Sequence, residues 1–190
     1  EGQPDLAAPL HAEAVKVIND MLANPPPGVN RADLLNTMAM CQLEKSMTQV
    51  RGPATRPTTL TNLGRTIDQW HNLAQAYPKV PVYRETHARA LLLRGQVQAE
   101  VGQPAEAQKD FDSAREILEA LVTEFPILPD IRADLGRAYA GLGRSVRTEM
   151  NPQGGDEWFA KAGEQLDRAI ELSPDNAEYK SWRDAMRGKK

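Results

Sequence analysis

Between residues 104 and 125 the apolar positions fall at Ala107, Phe111, Ala114, Leu118, Leu121 and Phe125. That is a 4-3-4-3-4 spacing, one apolar stripe along a helix of six turns. Pro104 suits the first helical turn, where its missing N–H has no intrahelical partner, and Gly102 just before it supplies the turn. Pro126 ends the stripe because the residue before a proline is pushed out of the α region. A second stripe begins near Pro129-Asp130 and runs through Ile131, Leu135, Ala138, Tyr139, Leu142 and Val146. Its counterpart 48 residues earlier is Tyr83, His87, Ala90, Leu91, Val97 and Val101, interrupted at Arg94.

The same interval links Pro78, Pro126 and Pro174; Tyr83, Ile131 and Tyr179; Trp70, Leu118 and Leu166; and Phe111 and Phe159. A fixed period in the tens of residues marks an array of stacked units, each hiding its apolar face against the next. Toward the N-terminus the timing loosens. Arg31-Ala32-Asp33-Leu34 recurs as Arg132-Ala133-Asp134-Leu135 at an offset of 101, five more than two periods. The extra residues are expected in Val50–Thr59, where Gly52, Pro53 and Pro57 read as a hairpin loop. Pro25-Pro26-Pro27 reads as a stiff turn between units.

The pattern predicts an all-α chain of about eight helices, near 6–24, 30–49, 58–77, 81–101, 104–125, 129–149, 155–172 and 175–187, forming one domain over 1–190. The last helix presents Tyr179, Trp182 and Met186 to the array, with Ser173-Pro174-Asp175 expected to supply a proline and an acidic first turn. Trp158 falls off the main stripe of its helix and has no place in this scheme.

Composition narrows the function classes. An apolar content of 41% supports a core, and scarce aromatics, 5%, suit closely packed helices. The net charge of −3, with no Lys/Arg block except Gly188-Lys189-Lys190, argues against nucleic-acid binding, which rests on phosphate neutralisation. No apolar run approaches the ~20 residues that span a bilayer, so no membrane insertion is expected. The lone Cys41 excludes an internal disulfide and reads as a small core residue. A chain that opens at Glu1 is expected to be a mature form or a domain of a longer protein. The compartment stays open, with the cytoplasm favoured.

Catalytic chemistry finds little support. His11, His71 and His87 share no i,i+4 relation, and no metalloprotease, nucleophile-elbow or paired-cysteine motif accompanies them. His87 falls on a core stripe and reads as a structural histidine; His11 and His71 read as helix-surface residues. Asp110, Asp112, Glu116 and Glu119 are expected on solvated helix faces. Gly141-x-Gly143 lacks the rest of a phosphate loop. The chain is therefore expected to be no enzyme and to use no cofactor or metal.

Leu135-Gly136-x-x-Tyr139 resembles the first-helix signature of the tetratricopeptide repeat. Ala162, Leu166, Ala169 and Pro174, and again Ala107, Phe111 and Ala114, resemble its second-helix signature. The usual repeat has ~34 residues, so a 48-residue unit implies longer helices. Glu124-Phe125-Pro126-x-x-Pro129-x-x-Arg132 and Ala76-Tyr77-Pro78-x-x-Pro81-x-Tyr83-Arg84 look like a long variant from repeat tails of bacterial serine/threonine kinases and signalling proteins.

The resemblance implies a right-handed α-solenoid of antiparallel helix pairs whose first helices line a concave groove. Groove positions carried over from Leu135-Gly136 are Asp130, Ala133, Arg137, Ala140 and Gly141. Their counterparts are Val82, Glu85, Arg89, Leu92 and Leu93 in the preceding unit, and Val29, Ala32, Asn36, Ala39 and Met40 in the one before. Asn36, Met40, Glu85, Arg89, Leu92, Leu93 and Arg137 are the candidate partner-binding set.

Arginines facing a groove grip carboxylates or phosphates through paired hydrogen bonds. The alternative is that Arg89 and Arg137 pair with acids of the protein itself, and both readings stay open. For Arg31, Arg84 and Arg132, each following a turn proline, the structural reading is preferred. The implied partner is a protein or peptide, acidic in one version. Self-assembly and a small-anion-sensing role remain as alternatives.

Overall fold

A computed structural model of the chain describes residues 7–49, 56–147 and 150–187, except the side chains of 7–9, 11, 47–49 and 187. Among the described residues there are eight helices and no strand. They are α1 (Ala7–Ala23), α2 (Arg31–Gln49), α3 (Arg56–Ala76), α4 (Pro81–Glu100), α5 (Pro104–Glu124), α6 (Pro129–Val146), α7 (Asp156–Leu172) and α8 (Ala177–Arg187). The all-α expectation is met and each expected helix is present.

The ends differ from expectation in three places. Residues 50–55 of the expected loop lie outside the described residues, and its end belongs to α3, where Thr59 is fully buried. α6 stops at Val146 because the backbone turns extended at Arg147, with φ −80° and ψ 122°. α8 starts two residues late. Its cap is Asn176, whose Oδ1 accepts the backbone N–H groups of Glu178 (2.9 Å) and Tyr179 (3.3 Å). Asparagine satisfies two orphan donors that Pro174-Asp175 leave unmet, so those residues form the turn and Glu178 the acidic first turn.

The helices fall into two compact units that divide inside α4, after Ala90. In the first, α2 packs against α1 and α3. Ile18, Leu34 and Met38 form one cluster, with Met21, Leu22 and Cys41 packed on it. Trp70 is wholly buried, its ring 6.2 Å from that of Tyr83, and Tyr83 lies edge-on to Tyr77 at 5.8 Å.

In the second unit α6 is central, packing on α5 and α7, while α8 lies on α7 and touches α6. The turn into α5 uses Gly102 at φ +80°, a left-handed conformation that glycine adopts without a Cβ clash, followed by Pro104 at the first helical position. Leu118, Leu121, Ile131 and Leu166 are completely buried, each contributing on the order of 1.5–3 kcal/mol.

Glycines set how closely these helices approach. A Cβ placed on Gly95 would lie 2.9 Å from the Phe111 ring, and one on Gly141 would lie 2.6 Å from it. Phe111 of α5 therefore occupies a slot bounded by glycines of α4 and α6. One period later, Gly143 stands in the same relation to Phe159, at 3.0 Å. Gly136 admits Leu166 and the Ala162 carbonyl of α7, at 2.9 and 3.1 Å from where its Cβ would be. These are the residues that carry the repeat signatures.

Trp158, unplaced by the sequence pattern, stacks on Tyr139 with centroids 5.8 Å apart and planes at 29°. Lys161 covers its ring at 5.0 Å.

Candidate binding clefts

The second unit carries two clefts, both reaching α6. The first, of about 560 Å³, lies between the C-terminal half of α4, the exposed face of α6, and α8. Leu92, Phe111, Ala140, Trp182 and Met186 form its apolar surface. Arg137 and Arg144, seven residues apart on α6 and so on one helix face, bring positive charge. Gln96 and Glu100 of α4 stand among the polar residues of the lining.

Arg137 is held on two sides. Its Nη1 donates to Asp134 Oδ1 at 2.9 Å, and its guanidinium carbon sits 4.7 Å from the centre of the Trp182 ring. Asp134 is 1% exposed, so this contact serves a buried carboxylate. Arg144 is exposed and makes no ion pair with a described residue. Surrounding protein, and then the like charge of Arg137, push its guanidinium below its ordinary range, though an arginine stays charged throughout the physiological range.

The candidate residues separate into two groups. Asn36, Met40, Glu85 and Arg89 lie in the first unit. Asn36 and Met40 are half-buried, and the Asn36 side-chain oxygen is buried with no hydrogen-bond partner among the described residues. Arg89 pairs with Glu85 one turn back, at 3.1 Å. Leu92, Leu93 and Arg137 lie in the second unit. The structure brings Leu92 and Arg137 to one cleft, which Leu93 does not line; both leucines are buried, Leu92 at 2% and Leu93 at 8% exposed. Of the wider groove set, Ala133 and Gly141 are buried packing residues. Ala133 clusters with Leu166, Ala169 and Tyr179. Asp130 is exposed and accepts a hydrogen bond from the Tyr179 hydroxyl.

Other expectations resolve one by one. Arg132 has a structural role, donating to the Pro126 carbonyl at 2.9 Å and to Gln165 at 3.1 Å. Arg31 reaches the Leu22 carbonyl at 3.4 Å. His87 is buried, with its ring 5.4 Å from that of exposed His71, which bonds Gln75. The side chain of His11 lies outside the described residues. Asp110 is a correction: it is 5% exposed and receives both Nε and Nη2 of Arg94, at 2.6 and 2.7 Å. The arginine that interrupts the α4 stripe explains the buried aspartate, since a buried carboxylate needs such a partner. Glu119 is half-buried and accepts from the Tyr139 hydroxyl at 2.7 Å. Burial first, and this bond second, push the phenol of Tyr139 up. Asp112 and Glu116 do lie on the solvated face, beside Arg115.

The second cleft, of about 650 Å³, opens where α6 ends and α7 begins. Arg144 approaches it from α6, Arg147 from just past the end of that helix and Arg183 from α8, with Phe159, Ala160 and Met186 supplying apolar surface. Arg183 is committed to Asp167 through two hydrogen bonds of 2.7 and 2.9 Å, which hold its guanidinium above its ordinary range. Arg144 thus borders both clefts. The sequence reading passed over it because the groove positions carried over from the resemblance stop at Gly141, three residues before it. The Arg137–Arg144 spacing of two helical turns was the available signal.

Among the described residues no helix is long and apolar enough to cross a membrane, and no group of three or more His, Cys, Asp or Glu is placed to hold a metal. No protein-family model matches the chain, and no curated protein matches its sequence.

Proposed function

We propose that the protein is a recognition module of tetratricopeptide type, an α-solenoid that binds a peptide or partner segment along the first helices of its repeats. The observation that carries this reading is the first cleft of the second unit. An apolar surface of half-buried Trp182 and Met186, backed by buried Leu92, lies beside Arg137 and Arg144, in a space large enough for several side chains. The contacts of Gly136 with Ala162 and Leu166 support the repeat reading, because they join the two signatures that suggested it. An acidic or C-terminal peptide carrying an apolar anchor fits this combination. The placement within a larger bacterial signalling protein rests on the phrases at 76–84 and 124–132.

The test avoids Arg137, whose removal takes a charged partner from the buried Asp134 and costs on the order of 1–3 kcal/mol of stability. Ala99 is exposed and lines only the first cleft, so Ala99→Trp fills it without touching the core. A displayed peptide library panned on the chain should enrich sequences with an acidic residue near an apolar one. Their affinity for the A99W variant should fall tenfold or more with the circular dichroism unchanged. Enriched peptides that bind A99W as well as the parent would place recognition elsewhere.

A further inference from the structure

We infer that the second cleft, at the α6–α7 end of this unit, is a binding site for a small organic oxyanion, a phosphate or carboxylate on an apolar body, with Arg144 as its receptor. This cleft shares Arg144 and Met186 with the first one, but the inference does not rest on the peptide-binding reading.

Three observations converge on the cleft. The first is charge. Arg144, Arg147 and Arg183 border it, and Asp156 is the one carboxylate among its described lining residues. Arg183 already spends its charge on Asp167, and next to the cleft Arg137 does the same with Asp134. Arg144 makes no ion pair with a described residue while lying close enough to Arg137 to feel its charge. A guanidinium at the edge of a cleft, crowded by a like charge and matched by no described acid, gains most from an incoming anion.

The second is shape. At about 650 Å³ the cleft lies in the range of sites for small molecules. The third is the apolar wall formed by Phe159, Ala160 and Met186, which favours an apolar body over a bare ion. Inorganic phosphate would satisfy the charge and leave that wall wet. A ligand with a ring or short alkyl group behind its oxyanion satisfies both.

Calorimetric titrations of the full chain at constant ionic strength compare phenyl phosphate, benzoate, inorganic phosphate and phenol. Saturable binding of phenyl phosphate or benzoate, at least tenfold tighter than that of inorganic phosphate and phenol, is the expected result, and the better of the two identifies the oxyanion. Arg144→Gln should weaken it by about tenfold to a hundredfold, the range for losing a charge-assisted pair of hydrogen bonds. Arg144→Lys should restore part of that loss, because it keeps the charge and lacks the fork. Ala160→Trp, at an exposed position lining only this cleft, should abolish binding, and A99W should leave it intact. Four results would each overturn the assignment: no saturable binding, no preference over inorganic phosphate, an R144Q variant that binds as the parent does, or loss of binding in A99W.

Discussion

Replacing Gly141 with alanine sets two physical effects of opposite sign against each other. Gly141 lies inside α6, where alanine is favoured over glycine by about 1 kcal/mol on helix propensity alone. The added methyl, however, would sit 2.6 Å from Cγ and Cδ1 of Phe111 and 2.8 Å from Cδ2, well inside the 3.4 Å where ordinary contact begins. The ring cannot retreat toward α4, because the Gly95 backbone is already so close that a Cβ there would be 2.9 Å from Cε1. Relief requires Phe111 to leave its rotamer or α5 to shift, and overpacking of this kind costs about 1–3 kcal/mol. With three ring atoms overlapped, the upper end applies, and the net expectation is destabilisation by about 2 kcal/mol. That lowers the melting point by roughly 4–8 °C for a chain of this size. Urea unfolding followed by circular dichroism measures it. In a Phe111→Leu background, where the flat ring is gone, the cost of Gly141→Ala should shrink by at least about 1 kcal/mol, the coupling expected of side chains in contact. A Gly141→Ala variant more stable than the parent, or a cost unchanged in the leucine background, would refute the slot.

Two further outcomes follow from the buried polar contacts of the same unit. Asp110→Asn should destabilise by about 2–3 kcal/mol in urea unfolding, somewhat under the usual cost of breaking a buried pair because Arg94 retains a quarter of its exposure; the apolar double variant Arg94→Met/Asp110→Leu should recover most of the loss, and a neutral D110N would sink the argument. Tyr139 has its folded-state pKa raised by burial and by Glu119, from an ordinary value of 10.0. Above pH 10 the unfolded chain therefore releases a proton that the folded chain keeps, so stability present below pH 10 declines as pH rises past it. Tyr139→Phe should flatten that alkaline decline in a series of melts from pH 8 upward, and an unchanged slope would show that the phenol does not titrate differently on folding.

Much of the fold was legible because its main determinant is periodic. The 48-residue interval located the helices from α3 to α8, and prolines 78, 126 and 174 fall in the turns after α3, α5 and α7. The interval also reappears in three dimensions, as the Gly95–Phe111 and Gly143–Phe159 approaches. The start of α8 was misread because a cap depends on which side-chain oxygen reaches which N–H, and Asn176 and Asp175 are alike in sequence terms. The site was less legible for a related reason. Arg137 and Arg144 have the same residue type, the same helix and the same face; what separates their roles is Asp134 and Trp182, one sharing the helix and the other arriving from α8. Asp110 was misplaced for want of the same knowledge, since only the approach of Arg94 from α4 makes a buried aspartate tolerable.

That contrast explains why α8 matters to any binding by this unit. With 11 residues, α8 is shorter than the ~12–15 at which isolated helices become even marginal, so its position must come from packing and tethers. Side-chain tethers among the described residues hold it: Tyr179 donates to Asp130 of α6, Arg183 forks onto Asp167 of α7, and Trp182 lies under Arg137. Each commits a polar or aromatic group to architecture. Trp182 and Met186 of the first cleft and Arg183 and Met186 of the second belong to this helix. The tethers therefore build both cavities and, in the same act, remove Arg137 and Arg183 from the pool of charges free to meet a ligand. Arg144 is the cation bordering both clefts that no described acid engages, which is why an anionic group entering either one should meet it first.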